Sequence, residues 1–160
     1  MQFTQSMSYP GTVDEVVAMY LTPAYLERRF GQFVVEGSPA VSVEGERVSF
    51  AGTVRPELIP AAAARFVKSD LRISFTEEWT TNEAGATSRT SVTVDGAPVS
   101  VEASSTLAPA EAGSVRDVTG NVSVRVPLLG GRIEKEAVAH LGRVVEREQA
   151  LATQWLEEHR

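Results

Sequence analysis

An acidic residue within an apolar helical stripe is the first feature of this sequence that suggests chemistry. Glu148 falls among Ala137, Val144 and Trp155 when the C-terminal segment is placed at helical spacing. A carboxyl group there must either line a cavity or meet a basic partner. In a cavity it would be desolvated and hold its proton more tightly, as a ligand anchor or a general acid does. The alternatives are a salt bridge to an arginine on a sheet, or a curved helix that exposes Glu148.

A second carboxylate lies in a strand pattern. Glu77 shares the phase of Phe75 and Trp79, so its side chain should point inward while that of Glu78 points to solvent. Two inward carboxylates could perform acid–base catalysis, but nothing in the sequence fixes the separation of Glu77 and Glu148. A bulge before Trp79 would reverse the inward and outward positions. The sequence therefore assigns no catalytic residue beyond these two candidates.

The remaining residue types exclude several kinds of site. The chain has no cysteine, which excludes disulfides, thiolate nucleophiles and cysteine-bound metals. Two histidines, His140 and His159, are too few for a zinc site without cysteine partners. No Gly-x-Ser-x-Gly elbow is present, and Gly130-Gly131 lacks the ending of a phosphate-binding loop. We therefore expect neither a metal ion nor a cofactor.

Charge and hydropathy limit the partners and the location. The net charge is −6, and Arg28-Arg29 is the densest basic spot, so a phosphate backbone is an unsuitable partner. No apolar run approaches the ~18 residues of a spanning helix, so we expect no stable membrane insertion. The N-terminus has neither the basic start nor the apolar stretch of a signal peptide. These features predict a cytoplasmic protein that binds no nucleic acid.

The chain begins with a strand pattern followed by two helical patterns. Apolar residues from Phe3 to Tyr9 alternate with polar ones, which predicts a half-buried strand. Thr12 with Glu15 three residues later forms a capping box, which starts a helix. Pro23 then stands at the first position of a second short helix.

The pattern is predominantly β from residue 32 to residue 126. The segment Phe33–Val43 predicts a strand pair, or one strand broken at its glycine and proline. Asp95-Gly96 between alternating apolar runs is a strong hairpin signal. The alanine-rich segment Pro60–Val67 interrupts the sheet, and we expect one or two helical turns there.

After Pro127 the period changes to that of a helix. The predicted helix Leu129–Glu158 has about 30 residues and a length of ~45 Å. Its apolar face collects Ile133, Ala137, Leu141, Val144, Leu151, Ala152 and Trp155. Such a helix needs a large concave apolar partner, which a strongly bent antiparallel sheet supplies. The predicted fold class is α+β, with a curved antiparallel sheet wrapped around a long C-terminal helix in one domain spanning 1–160.

Three segments carry a resemblance to a known superfamily. They are Leu71–Trp79, Val99–Glu102 and Val126–Lys135, the last lying where the final strand meets the long helix. The order of strand, two short helices, antiparallel strands and long C-terminal helix resembles the helix-grip order of the START-like superfamily, also called SRPBCC. Within it, the sequence is most similar to an uncharacterised, mainly actinobacterial branch.

The resemblance implies a cavity between sheet and helix that holds an apolar or amphipathic small molecule. Relatives include lipid carriers, plant hormone and allergen proteins, polyketide cyclases and aromatases, and co-chaperone domains. Gly37-Ser38-Pro39 does not reproduce the glycine-rich loop of the plant branch, so the ligand contacts of that branch are not transferred. The candidate lining residues are Phe50, Phe75, Glu77, Trp79, Val101, Val122, Leu141, Val144, Glu148 and Trp155.

Three functional hypotheses follow from these observations. The leading one is a non-enzymatic binder of a hydrophobic small molecule. The second is an enzyme of the cyclase, aromatase or dehydratase kind, with Glu77 or Glu148 as acid or base. The third is an interaction module with a packed interior, which predicts no internal cavity larger than a few water molecules. One fold hosts several functions, so the fold alone does not choose among them.

Overall fold

A seven-stranded antiparallel sheet is the largest element in the described part of the chain. This computed structural model describes residues 1–59, 61–65, 67 and 69–160. The strands are β1 (Gln2–Tyr9), β2 (Ala40–Glu44), β3 (Arg47–Thr53), β4 (Arg72–Asn82), β5 (Gly85–Asp95), β6 (Val99–Ala110) and β7 (Gly113–Val124). Each strand from β2 to β6 pairs with the next along the chain, and β1 pairs with β7. The edge strands are therefore β1 and β2.

Two short helices carry the chain from one edge of the sheet to the other. They are α1 (Val13–Tyr20) and α2 (Pro23–Phe30). The predicted capping box is present at the start of α1, because the Glu15 amide donates to Thr12 Oγ1 at 3.2 Å and the Thr12 amide donates to Glu15 Oε1 at 2.9 Å. A single turn, α3 (Ala61–Ala64), follows β3. It confirms helical structure within the predicted segment, of which Pro60 and Phe66 lie outside the described residues.

The long C-terminal helix is α4 (Gly130–Glu158), which confirms the predicted element to within one residue. With the antiparallel sheet it confirms the α+β helix-grip class. No helix in the described part of the chain combines the length and apolar character needed to cross a bilayer.

The expected strand or strand pair at Phe33–Val43 is wrong for its first half. Gly31–Phe33 forms a short 3-10 helix, and the strand begins only at Ala40. Val34 makes an isolated bridge to Val54 instead. The physical reason is local: Gly37 has a φ of 81°, outside the extended region, and the next residue but one is a proline, which has no amide proton for a sheet bond.

The core is packed most densely against the C-terminal end of α4. Trp79 stacks on Tyr20 with ring centroids 5.5 Å apart, and Tyr25 meets Trp155 edge to face at 5.4 Å. A second buried cluster lies toward the β2 edge and consists of Leu26, Val34, Val48, Phe50 and Phe75. By contrast, Ile133 and Leu141 in the earlier turns of α4 are only half-buried. At the start of α4, Gly130 is buried and Glu134 accepts a hydrogen bond from the Val124 amide at 2.8 Å. The helix is therefore held at both ends and packs more loosely in between.

Candidate ligand-binding site

An apolar cavity lies between the sheet and the first turns of α4. Its volume is about 250 Å³, and every described residue that lines it is apolar. The wall includes Leu71, Val94, Val99, Val122, Ile133 and Ala137. A water molecule occupies roughly 30 Å³ in the liquid, so this space exceeds a few waters. The interior is not fully packed.

A smaller and more polar cavity of about 140 Å³ continues along the same elements. Val99 on β6 lines the apolar cavity, and Val101, the next inward position, lines the polar one. Likewise, Ala137 on α4 lines the first, and Leu141, one turn later, lines the second. The two cavities therefore lie next to each other along the same elements beneath α4.

Glu77 lines the polar cavity on the side of the sheet. It is buried on β4, and its carboxylate accepts hydrogen bonds from Trp79 Nε1 at 3.0 Å, Thr90 Oγ1 at 2.8 Å and Arg116 Nη2 at 2.8 Å. Burial by itself would raise the pKa of Glu77. The guanidinium groups of Arg116 and Arg29, with the hydrogen bonds from Thr90 and Arg116, outweigh burial and hold this pKa below its ordinary value. Glu77 is therefore an anion whose oxygens are occupied.

Arg116 connects four neighbouring strands. From β7 its Nε donates to Ser105 on β6 at 3.0 Å, and its Nη2 donates to Ser88 on β5 at 3.1 Å and to Glu77 on β4 at 2.8 Å. The Ser88 and Ser105 hydroxyls are themselves 2.5 Å apart. Burial would lower the pKa of Arg116, but Glu77 and the nearby tyrosines raise it. All four side chains are buried, and the register of the strands sets their relative positions.

Arg29 and Glu148 form the helix side of the polar cavity. Arg29 Nε from α2 lies 2.5 Å from Glu148 Oε1 on α4. Arg29 Nη1, by contrast, is a buried donor without a hydrogen-bond partner in the described structure. Arg29 Nη1 is 3.9 Å from Glu77 Oε1, which is too long for a hydrogen bond. The partner of Glu148 is thus an arginine on a helix rather than on the sheet.

Aromatic rings hold both guanidinium groups in place. Arg29 Cζ lies 5.0 Å from the centroid of Tyr20 and 5.2 Å from that of Phe75. Arg116 Cζ lies 4.8 Å from both Tyr20 and Trp79. Tyr20 therefore contacts two guanidinium groups, and cation–π contacts are stronger when the groups are desolvated. The rings orient the charges as well as filling the core.

The structure divides the ten predicted lining residues into two groups. Six line the two cavities: Glu77, Val101, Val122, Leu141, Val144 and Glu148. Four lie in packed core and line neither cavity: Phe50, Phe75, Trp79 and Trp155. Because Glu77 and Glu148 line the same small cavity, the two carboxylates are brought together, each beside an arginine.

The two arginines of the polar cavity were not among the predicted site residues. Arg116 stands two residues before Val118, in the phase of the inward valines of β7, and that phase is the signal that could have identified it. Arg29 belongs to the Arg28-Arg29 pair, which we considered only for nucleic-acid binding. Within the described residues, no three histidine or acidic side chains come together as a metal site would require.

The sequence matches a protein family and an uncharacterized relative. A family model described as "Protein of unknown function (DUF2505)" matches residues 4–156. The uncharacterized protein Rv0481c of Mycobacterium tuberculosis (strain H37Rv) is 26% identical over an alignment of 166 residues, which covers 96% of this chain and 95% of that protein.

Solved structures share the fold at low sequence identity. The crystal structure of TTHA0849 from Thermus thermophilus has a TM-score of 0.64 at 15% identity and covers 99% of both chains. Norcoclaurine synthase from Thalictrum flavum, in complex with dopamine and hydroxybenzaldehyde, has a TM-score of 0.61 at 12% identity and covers 100% of this chain and 88% of that one. These likenesses establish a shared helix-grip fold. From the match over 4–156, the chain belongs to the DUF2505 family.

Proposed function

We propose that this protein binds an amphipathic small molecule in the space between the sheet and α4, as a carrier or sensor rather than as an enzyme. The observation that carries the proposal is the apolar cavity of about 250 Å³ that lies next to a cavity lined by four charged residues. In this proposal one domain spans the chain, and the family is a branch of the START-like superfamily.

Packing energetics support an occupant for the apolar cavity. Side chains that line an unfilled space lose dispersion contacts on one side, and a hydrophobic ligand restores them while leaving water. Ile133 and Leu141 of α4 are half-buried, and each lines one of the two cavities. The complex of norcoclaurine synthase with two aromatic molecules is consistent with ligand binding in this fold.

The state of Glu77 favours binding over acid–base catalysis. A general acid must carry a proton near neutral pH, whereas the lowered pKa of Glu77 keeps its carboxylate ionised. A general base needs a free oxygen, whereas both Glu77 oxygens accept hydrogen bonds from protein groups. The enzyme hypothesis then depends on Glu148 alone.

Filling the apolar cavity tests the proposal. We expect Ala137→Phe to weaken binding of the uncharged fluorescent probe N-phenylnaphthylamine by about tenfold or more, because the new ring occupies the ligand's space. The measurement is a fluorescence titration. The matched control is Ala139→Phe, which introduces the same ring at an exposed position of α4 that lines neither cavity. Equal affinities of the two variants, or no binding by the unmodified protein, would refute the proposal.

A further inference from the structure

The four charged residues of the polar cavity form two ion pairs that differ in how completely they are hydrogen-bonded. Glu77 and Arg116 satisfy each other and are completed by Trp79, Thr90 and the two serines. Arg29 and Glu148 touch as an ion pair through Nε and Oε1, yet Arg29 Nη1 is buried without a hydrogen-bond partner. The first pair is a structural element, whereas the second has unused capacity for a ligand.

Buried groups without hydrogen bonds are costly, so this pair is informative. The side chains of Arg29 and Glu148 are only 12% and 14% exposed. The guanidinium cannot turn away freely, because its Cζ lies 4.8 Å from the Phe30 centroid and at a similar distance from Tyr20 and Phe75. A molecule that fills the cavity therefore meets a fixed donor and, beside it, an acceptor.

The charges of the cavity define the kind of head group that fits. Two arginines and two glutamates balance, so the lining is electrically neutral. A charged head group would add a buried charge without a counterion, which is unfavourable. A neutral group with both an acceptor oxygen and a donor hydrogen keeps this balance.

On the basis of the proposed binding function, we propose that the site selects amphipathic molecules with an uncharged head group that is both acceptor and donor. Arg29 donates to the acceptor oxygen, and Glu148 accepts from the donor hydrogen. The apolar tail lies in the adjacent cavity lined by Val99, Val122 and Ile133.

Three probes with the same tail test the selection: decanamide, decanoate and decylamine. They are titrated calorimetrically near neutral pH, below their micelle-forming concentrations. We expect decanamide to bind at least about tenfold more tightly than either charged probe. Glu148→Gln leaves the lining with one excess positive charge, so decanoate should become the preferred probe. The matched control, Glu146→Gln, changes an exposed carboxylate of the same helix and should keep the original order.

The outcomes distinguish this inference from the proposed function. If all three probes bind the unmodified protein equally, and Glu148→Gln does not change their order, apolar binding stands and head-group selection is refuted. If none of the probes binds, both proposals fail. Arg29→Met provides an independent variant, since its lining has an excess negative charge and should favour decylamine.

Discussion

Glu77→Gln is expected to lower the free energy of unfolding by about 3–5 kcal/mol, because it leaves Arg116 buried without its counterion. Arg116 is as enclosed as Glu77, and the two atoms of their contact are 2.8 Å apart. The measurement is chemical denaturation at neutral pH. Glu78→Gln is the matched control, since Glu78 is the exposed neighbour, and it should change stability by less than about 0.5 kcal/mol.

A double-mutant cycle separates this pair from general disruption. Adding Arg116→Met to Glu77→Gln removes both buried charges, so the double variant should lose less stability than the two single variants together, with a coupling of about 1–3 kcal/mol. Strict additivity of the two changes would contradict a coupled pair.

The contribution of Glu77 to the free energy of unfolding depends on pH with a definite sign. Because the pKa of Glu77 is lowered in the folded state, its stabilising contribution is complete above the unfolded-state pKa of about 4.3 and is lost as pH falls through the folded-state value. Glu77→Gln should therefore flatten the acid side of the stability profile. An unchanged acid limb would show that other carboxylates determine it.

Trp155→Ala is expected to cost about 3–5 kcal/mol, the range for deleting a buried tryptophan. Trp155 packs against Tyr25, and Arg28 Cζ lies 5.0 Å from its ring centroid. These contacts belong to the part of α4 that anchors the helix. Urea denaturation measures the loss.

Val144 provides the comparison on the same helix. It lines the polar cavity and is 44% exposed, so Val144→Ala should cost less than about 1 kcal/mol. Similar losses for Trp155→Ala and Val144→Ala would contradict a helix that packs tightly at its C-terminal end and loosely in its middle turns.

The fold could be predicted from the sequence because local signals and the element order agreed. The capping box at Thr12, the hairpin at Asp95-Gly96 and the helical period after Pro127 each involve residues that are close in the chain. The prediction for the segment before Ala40 was wrong because the apolar character of Phe33 and Val34 indicated a strand, while Gly37 and its neighbours imposed a turn.

The candidate site was only partly predictable, because its partners are distant in the chain. Strand phase and helical phase correctly placed Glu77 and Glu148 on inward faces. Their partners, Arg116 and Arg29, depend on strand register and on the docking of α2, which no local pattern encodes. A long basic side chain in a strand is ordinarily assigned to solvent, so Arg116 was passed over despite its phase.

The sequence also could not distinguish residues of the cavity wall from residues of the packed core. Phe75 and Leu141 are both apolar residues on inward faces, yet Phe75 packs in a core cluster and Leu141 lines a cavity. Phe75 is covered by α2, with the ring centroids of Phe30 and Phe75 4.7 Å apart. The docking of α2 is a property of the whole assembly.

An isotope-filtered nuclear Overhauser experiment tests the central claim most directly. Unlabelled decanamide would be added to protein with ¹³C-labelled methyl groups, and transfer from the ligand chain to the protein would be recorded. A ligand between sheet and helix predicts transfer to the methyl groups of Val99, Val122 and Ile133. Transfer confined to exposed residues such as Val35 and Leu128, or none at saturating ligand, would contradict it.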